Sequence, residues 1–427
     1  MKIAVIGGGI SGVVSAHYLS LDGHEVHLYE ANNYIGGHTD THQVNAQGQN
    51  WSVDTGFIVF NEDNYPNFSR FLEELKVPSQ LSDMSFGVHN TGSGLEYNAT
   101  SIDTLFCQRR NLLNPSFYRM LWDLVRFYKQ SPKLLDSQSE QLSEQTLGDY
   151  LRVHKYSRSF IQDHILPMAC ALWSGPSISI EDFPVHYFVS FMQNHKMLSL
   201  SGRPEWRVVK GGSRSYIDAM LNQFDGVVNT STPVREIKRY ATGVKVRADG
   251  EWNDFDKVII ATHSNQALSM LLDPSESELK VLSGIKYQRN EMQLHSDISV
   301  MPKNKKAWAS WSVKVGTELE SACTVSYYMN LLQNIDAPVD FFTSLNCSHL
   351  IDPDKVYVSR SYEHPIYNAD TLQSQHRRSE ISGHKNTYYC GAYWGWGFHE
   401  DGARTAMDCV KQIQAEHGIV QGSSRAD

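Results

Sequence analysis

The chain has 427 residues, 41% hydrophobic and 20% charged, with a net charge of −9 and no long Lys/Arg run. That balance argues against nucleic acid as a partner, and the length points to two domains rather than one core. Six cysteines are scattered without a C-x-x-C pair, so neither a disulfide framework nor a metal site is expected, and no metal is assigned.

The chain opens on "MKIAVIGGGISG", where Lys2–Ile6 reads as a strand and Gly7, Gly9 and Gly12 follow in G-x-G-x-x-G spacing. "VVSAHYLSLDG" then reads as a helix, and "HEVHLYE" as a second strand ending in Glu30. Strand, glycine turn, helix and a late acidic residue make a dinucleotide-binding unit. Gly7 permits the tight turn, Gly9 the approach of a pyrophosphate and Gly12 close helix packing, while Glu30 stands where a ribose hydroxyl is bound. A strand starting at residue 2 leaves no room for a signal peptide, and no run of about 20 apolar residues offers a membrane span, so a cytoplasmic protein is expected.

Further along, "ANNYIGGHTDT" is a loop, "WSVDTGFIVF" an apolar strand, and 65–75 a helix. "LLNPSFYRMLWDLVRFYKQSPKLL" predicts a stronger helix, with Phe117, Leu121, Leu124, Val125 and Tyr128 at helical spacing. Arg109, Arg110, Arg119, Arg126, Lys129 and Lys133 flank it, which suits either a solvated basic face or peripheral contact with the inner face of a membrane. More helices are expected over 141–200, then strand, glycine turn and helix in "WRVVKGGSRSYIDAMLNQF", and a run of strands from 226 to 268. Residues 285–365 are strand-rich. "NTYYCGAYWGWGFHEDGARTAMDCVKQIQ" closes with a strand, a glycine-rich loop and a helix, expected to start near Gly402 and Ala403.

Five of these segments, in this order, resemble the flavin-containing amine oxidase superfamily, which includes protoporphyrinogen oxidases and phytoene-type desaturases. The likeness is greatest to bacterial NAD/FAD-binding proteins of amine-oxidase type. The resemblance implies an α/β fold: a Rossmann-like FAD-binding domain of the GR2 type over 1–85, 200–283 and 380–420, interrupted by a mixed α+β substrate domain over 86–199 and 284–379, with 421–427 a disordered tail. It implies non-covalent FAD. Gly7, Gly9, Ile10, Ser11, Gly12, Glu30 and Ala31 would hold its ADP half, with adenine at Val234. Gly36, Gly37, His38 and Thr39, then Thr55, Gly56, Phe57 and Ile58, and then Ala261 and Thr262 would pass close to the cofactor. Gly391 and Ala392 would meet the ribityl chain, and Gly402 and Ala403, as a helix N-terminus, the N1/O2 edge of the ring. Two positions depart from the family pattern: His38 stands for an arginine, and Ala392 for an acidic residue.

The resemblance also implies hydride transfer to flavin. Amine oxidation in the family uses a lysine near N5, but the inward positions of "GIKYQRNEMQLHSDISVMP" read as Glu291, Gln293 and His295, with Lys286 at the edge. His295 and Asp297 alternate and form a candidate proton-handling pair, against a structural histidine as the other reading. Tyr393 or Trp394, with Trp396 beside them, would wall the substrate site, and Trp308, Trp311, Tyr327 and Tyr328 are either cavity lining or plain core. Family members are often encoded beside cyclopropane-fatty-acid-synthase-like methyltransferases, which implies an acyl-chain substrate. The expected activity is an FAD-dependent oxidoreductase acting on an apolar small molecule or lipid, as a desaturase or dehydrogenase. A flavin amine oxidase, a redox-neutral isomerase and a non-catalytic lipid escort remain as alternatives. Oligomeric state is not legible.

Overall fold

Ile3, Ala4, Val5 and Ile6 are all buried, so their strand must be covered on both faces. In the computed structural model, which describes residues 1–136, 145–173, 181–199, 201–316, 323–416 and 418, it lies at the centre of a five-stranded parallel sheet. The order across the sheet is Val227–Asn229, Glu25–Tyr29, Lys2–Ile6, Lys257–Ile260 and Thr387–Tyr389. Strand alternation splits the core in two. Ile3, Val5 and Leu28 pack with Val13 of the first helix, Ile10–Leu21, and with Ile413 of the last helix, His399–Glu416. Ala4, Ile6 and Ile260 pack on the other face with Val246 of an antiparallel meander spanning Val234–Phe255. The glycine turn, the adenine-side strand and the last helix are thus gathered from distant parts of the chain.

A second, seven-stranded sheet runs Val356–Ile366, Lys286–His295, Phe342–Leu345, Thr324–Tyr328, Trp311–Val315, Phe86–Asn90 and Leu95–Asn98. Its neighbours are antiparallel except Trp311–Val315 with Phe86–Asn90. Helices Pro115–Gln130, Leu147–Val153, Leu166–Trp173 and Val185–Asn194 bury their apolar faces with one face of this sheet, through Phe127, Tyr150, Cys170 and Phe188. Residues 141–144, 174–180 and 200, where further helix was expected, and the tail 421–427 lie outside the described residues. Val44, Val53 and Ile58 join this second core although they precede residue 86.

Candidate functional site

The first strand ends at Gly7, whose φ of +106° turns the chain into the first helix. A Cβ on Gly12 would overlap the Gly7 carbonyl oxygen, and one on Gly7 would press on the Ala261 carbonyl, so both positions admit only glycine without backbone movement. The Gly36–Gly37 loop closes over this turn through the Gly36 N–H, which donates to Gly8 O at 2.8 Å. Gly9 caps the helix without a side-chain bond, which leaves the first-turn N–H groups for a ligand. Glu30 ends the second strand. Its Oε2 accepts the Gly8 N–H at 2.7 Å, and its Oε1 accepts the backbone and side-chain N–H of Asn32 at 2.8 Å.

A cavity of about 2070 Å³ begins at this turn and extends between the two sheets. Gly7, Gly9, Ile10, Ser11, Glu30, Ala31, Gly37, His38, Thr55, Gly56, Phe57, Ile58, Val234, Ala261, Thr262, Gly391, Ala392 and Tyr393 lie on its wall, drawn from seven separate stretches of sequence. Gly12, Gly36 and Thr39 stand just behind it. Thr39 bonds the Tyr216 hydroxyl and lies 3.1 Å from His399 Nε2.

Four expectations are corrected. The last helix begins at His399, a turn earlier than expected, because the Asp401 carboxylate accepts the Phe398 N–H and caps it. Gly402 and Ala403 therefore lie inside the helix. The Gly402 N–H bonds Phe398 O, and its Cα packs on Ile10 and Ser11, directly behind the cavity wall. His295 is buried behind the sheet, with Nε2 2.8 Å from Ser344 Oγ and Nδ1 accepting the Asp297 N–H. The strand ends at His295 after a register shift, so Asp297 no longer alternates with it. Burial opposes the Asp297 charge, but the N–H groups of Asp352 and Ser299 and the Lys355 ammonium hold its pKa down to about 2. The pair fastens the end of a sheet. Trp394 is buried in the core with Ile381 and Tyr389 and does not line the cavity. On the strand Lys286–His295 the cavity reaches Tyr287 and Arg289, of the same parity as Glu291, Gln293 and His295 but earlier in the strand. Trp311 and Tyr327 line the cavity, while Trp308 and Tyr328 bond Pro302 O and Asp340 elsewhere.

The sequence reading missed a histidine cluster. The His38 ring lies 5.3 Å from His364, 6.4 Å from His263 and 4.8 Å from Tyr362, and all four line the cavity. Burial, with the neighbouring imidazoles, pushes the pKa of His38 and His263 down to about 4 and that of His364 to about 3. These rings are neutral at physiological pH, and among the described residues no group of three is placed to hold a metal ion. Hydrogen bonding further sets the His364 tautomer. The Glu291 N–H donates to Asn346 Oδ1 at 3.0 Å, so Asn346 Nδ2 faces Asn290 Oδ1 at 2.8 Å. Asn290 Nδ2 must then donate to His364 Nδ1, at 2.6 Å, and the ring proton sits on Nε2. His364, which lines the cavity, is then a hydrogen-bond donor at Nε2 and not a base.

The donor set fits FAD. The uncapped helix N-terminus would meet a diphosphate, and the Glu30 carboxylate a ribose hydroxyl. On the cavity wall His38 Nε2 and the Tyr393 hydroxyl are buried, with no hydrogen-bond partner among the described residues, as groups awaiting a polar ligand edge are. The fold and site together define a dinucleotide-binding protein whose cofactor cleft opens into an apolar chamber.

Comparison with known proteins agrees. Residues 10–291 match the family described as flavin containing amine oxidoreductase, and the chain belongs to that family. An L-amino-acid oxidase of Siganus canaliculatus is 23% identical over 309 residues, covering 67% of this chain and 54% of the relative. The chain thus spans about half the length of that curated relative. Cyclohexylamine oxidase of Brevibacterium oxydans IH-35A superposes with a TM-score of 0.72 at 14% identity, over 98% of this chain and 99% of its own. A fatty acid isomerase of P. acnes that produces CLA superposes at 0.68 and 12% identity, over 96% and 98%. These last two likenesses show the fold.

Proposed function

We propose that the protein is an FAD-dependent oxidoreductase that oxidises a long apolar substrate, a lipid acyl chain, as a dehydrogenase or desaturase. One observation carries this reading. Besides the histidine cluster, the cavity wall carries the apolar side chains of Leu105, Met120, Leu121, Leu124, Met168 and Leu172. At about 0.8 kcal/mol per buried CH₂, ten methylenes there would contribute ~8 kcal/mol before ordering costs, which a short amine could not match. No lysine lines the cavity among the described residues, which counts against the amine chemistry of the wider family.

Bound flavin supplies the hydride acceptor; the protein supplies position and exclusion of water. The first-turn N–H groups and Glu30 hold the nucleotide end. His364, protonated on Nε2, offers a donor at the chamber, and the neutral histidine wall adds no charge of its own there.

The test is an anaerobic visible spectrum of the flavin-loaded protein, mixed first with long-chain phospholipid or fatty acid and then with primary amines. Loss of flavin absorbance on adding lipid, with a new double bond in the recovered acyl chain, is the expected result. Bleaching by amines alone would replace this reading with amine oxidation. An unbleached flavin with a shifted double bond would replace it with isomerisation.

A further inference from the structure

The helix Pro115–Gln130 presents two different faces. Met120, Leu121, Leu124 and Tyr128 line the cavity. The opposite face carries Tyr118, Arg119, Trp122 and Lys129 at three- and four-residue spacing, with Tyr118 46% and Trp122 53% exposed. Just before it, the turn Arg109–Leu113 leaves Leu113 90% exposed, and Ile102 is 80% exposed. Isolated exposed apolar side chains need no explanation, but several large ones on consecutive segments do.

Charge tells what would cover them. In a chain of net charge −9, residues 102–136 hold six basic side chains and three acidic ones, Asp103, Asp123 and Asp136. Asp123 is buried and bound to Arg119 and Arg126, whose guanidinium groups flank the Trp122 ring at 4.6 and 4.9 Å. Arg109 pairs with Asp103, while Arg110, Lys129 and Lys133 are exposed. A second copy would bring cations against cations in a two-fold contact. An anionic bilayer matches both parts: its headgroups suit the basic rim, and its interface suits Trp, Tyr and Leu.

We propose that this face docks the protein on an anionic lipid surface, with the cavity on the inner side of the docked helix. The docking gives the acyl-chain reading a route of substrate entry and rests on that reading only for its purpose; the docking itself is measured without turnover.

The experiment is cosedimentation of the flavin-loaded protein with vesicles of phosphatidylcholine alone or with about a third phosphatidylglycerol, at low and high salt. Binding to the anionic vesicles, reversed by salt, is expected. Leu113→Glu and Trp122→Glu should each weaken it at least about tenfold, and the triple variant R110E/K129E/K133E by about fivefold per charge. Flavin spectrum and melting temperature should stay unchanged in all three. Equal partition of wild type and variants, or no partition of either, overturns the proposal. So does a dimer in light scattering that Leu113→Glu dissociates, since a second copy would then own the surface. Vesicle binding without flavin bleaching would leave the docking standing and remove the acyl-chain reading instead.

Discussion

His364 is the residue whose chemistry is most narrowly set by its neighbours. Asn346 sits at a φ of +57° and grips the Glu291 backbone on both sides, its own N–H on Glu291 O and its Oδ1 on the Glu291 N–H. Asn290→Asp replaces the donor at His364 Nδ1 by an acceptor. The ring proton is expected to move to Nδ1, or the ring to become cationic near neutral pH. Long-range ¹H–¹⁵N correlation of histidine-labelled protein reads this directly, with His364→Gln as the assignment control. An Nε2–H pattern persisting in Asn290→Asp would refute the relay. The glycines, Glu30 and His38 were legible because they occupy motif positions with fixed spacing. His263 and His364 were not, since each is an ordinary residue in its own segment and acquires meaning only where three segments meet.

Among the elements, an ion pair fastens the nucleotide half together. Arg239 on the strand Val234–Tyr240 holds Glu278 on the helix Glu276–Ser283, and the Tyr389 hydroxyl donates to the same carboxylate at 2.6 Å. Burial raises the Glu278 pKa, but Arg239, the Ser275 N–H and Tyr389 outweigh it and bring it down to about 2. A depressed carboxylate pKa stabilises the fold above the unfolded value near 4.5, and that contribution is lost as pH falls toward 2. Up to about 3 kcal/mol is at stake. Urea unfolding at pH 5, 4 and 3 should show a smaller loss in Glu278→Gln than in wild type, and parallel losses would rule the pair out as its source. Element types were legible from periodicity, as with Pro66–Glu74 and Arg214–Gln223. Ends were less so. The last helix starts at a carboxylate cap three residues into its own sequence, and the strand at His295 stops at a register shift that alternation cannot foresee.

At the scale of the molecule, the nucleotide sheet is finished only by Thr387–Tyr389, and the first helix packs beside the last. Removing residues 380–427 should therefore leave no site able to retain FAD and no cooperative melt. Flavin absorbance after gel filtration and thermal circular dichroism check this, and a truncated protein that keeps its flavin would make the last helix an accessory. That one sheet takes its strands from distant segments was legible because α/β pieces recur at the beginning, middle and end of the chain. The apolar part of the cavity wall was not, since it is assembled from three separate helices, Ile102–Leu105, Pro115–Gln130 and Leu166–Trp173.

That closure has a consequence for biosynthesis. The glycine turn is made first, yet the helix that packs against Ile10 and Ser11 begins at His399. At ribosomal rates of 5–20 residues per second, roughly 20–80 s separate the two. During that interval the strand Lys257–Ile260 has no neighbour on its late side, and the face covered by the last helix stays open. Flavin loading thus waits for residues 399–416, and an apolar, edge-exposed nascent segment must be kept from pairing with others until they emerge.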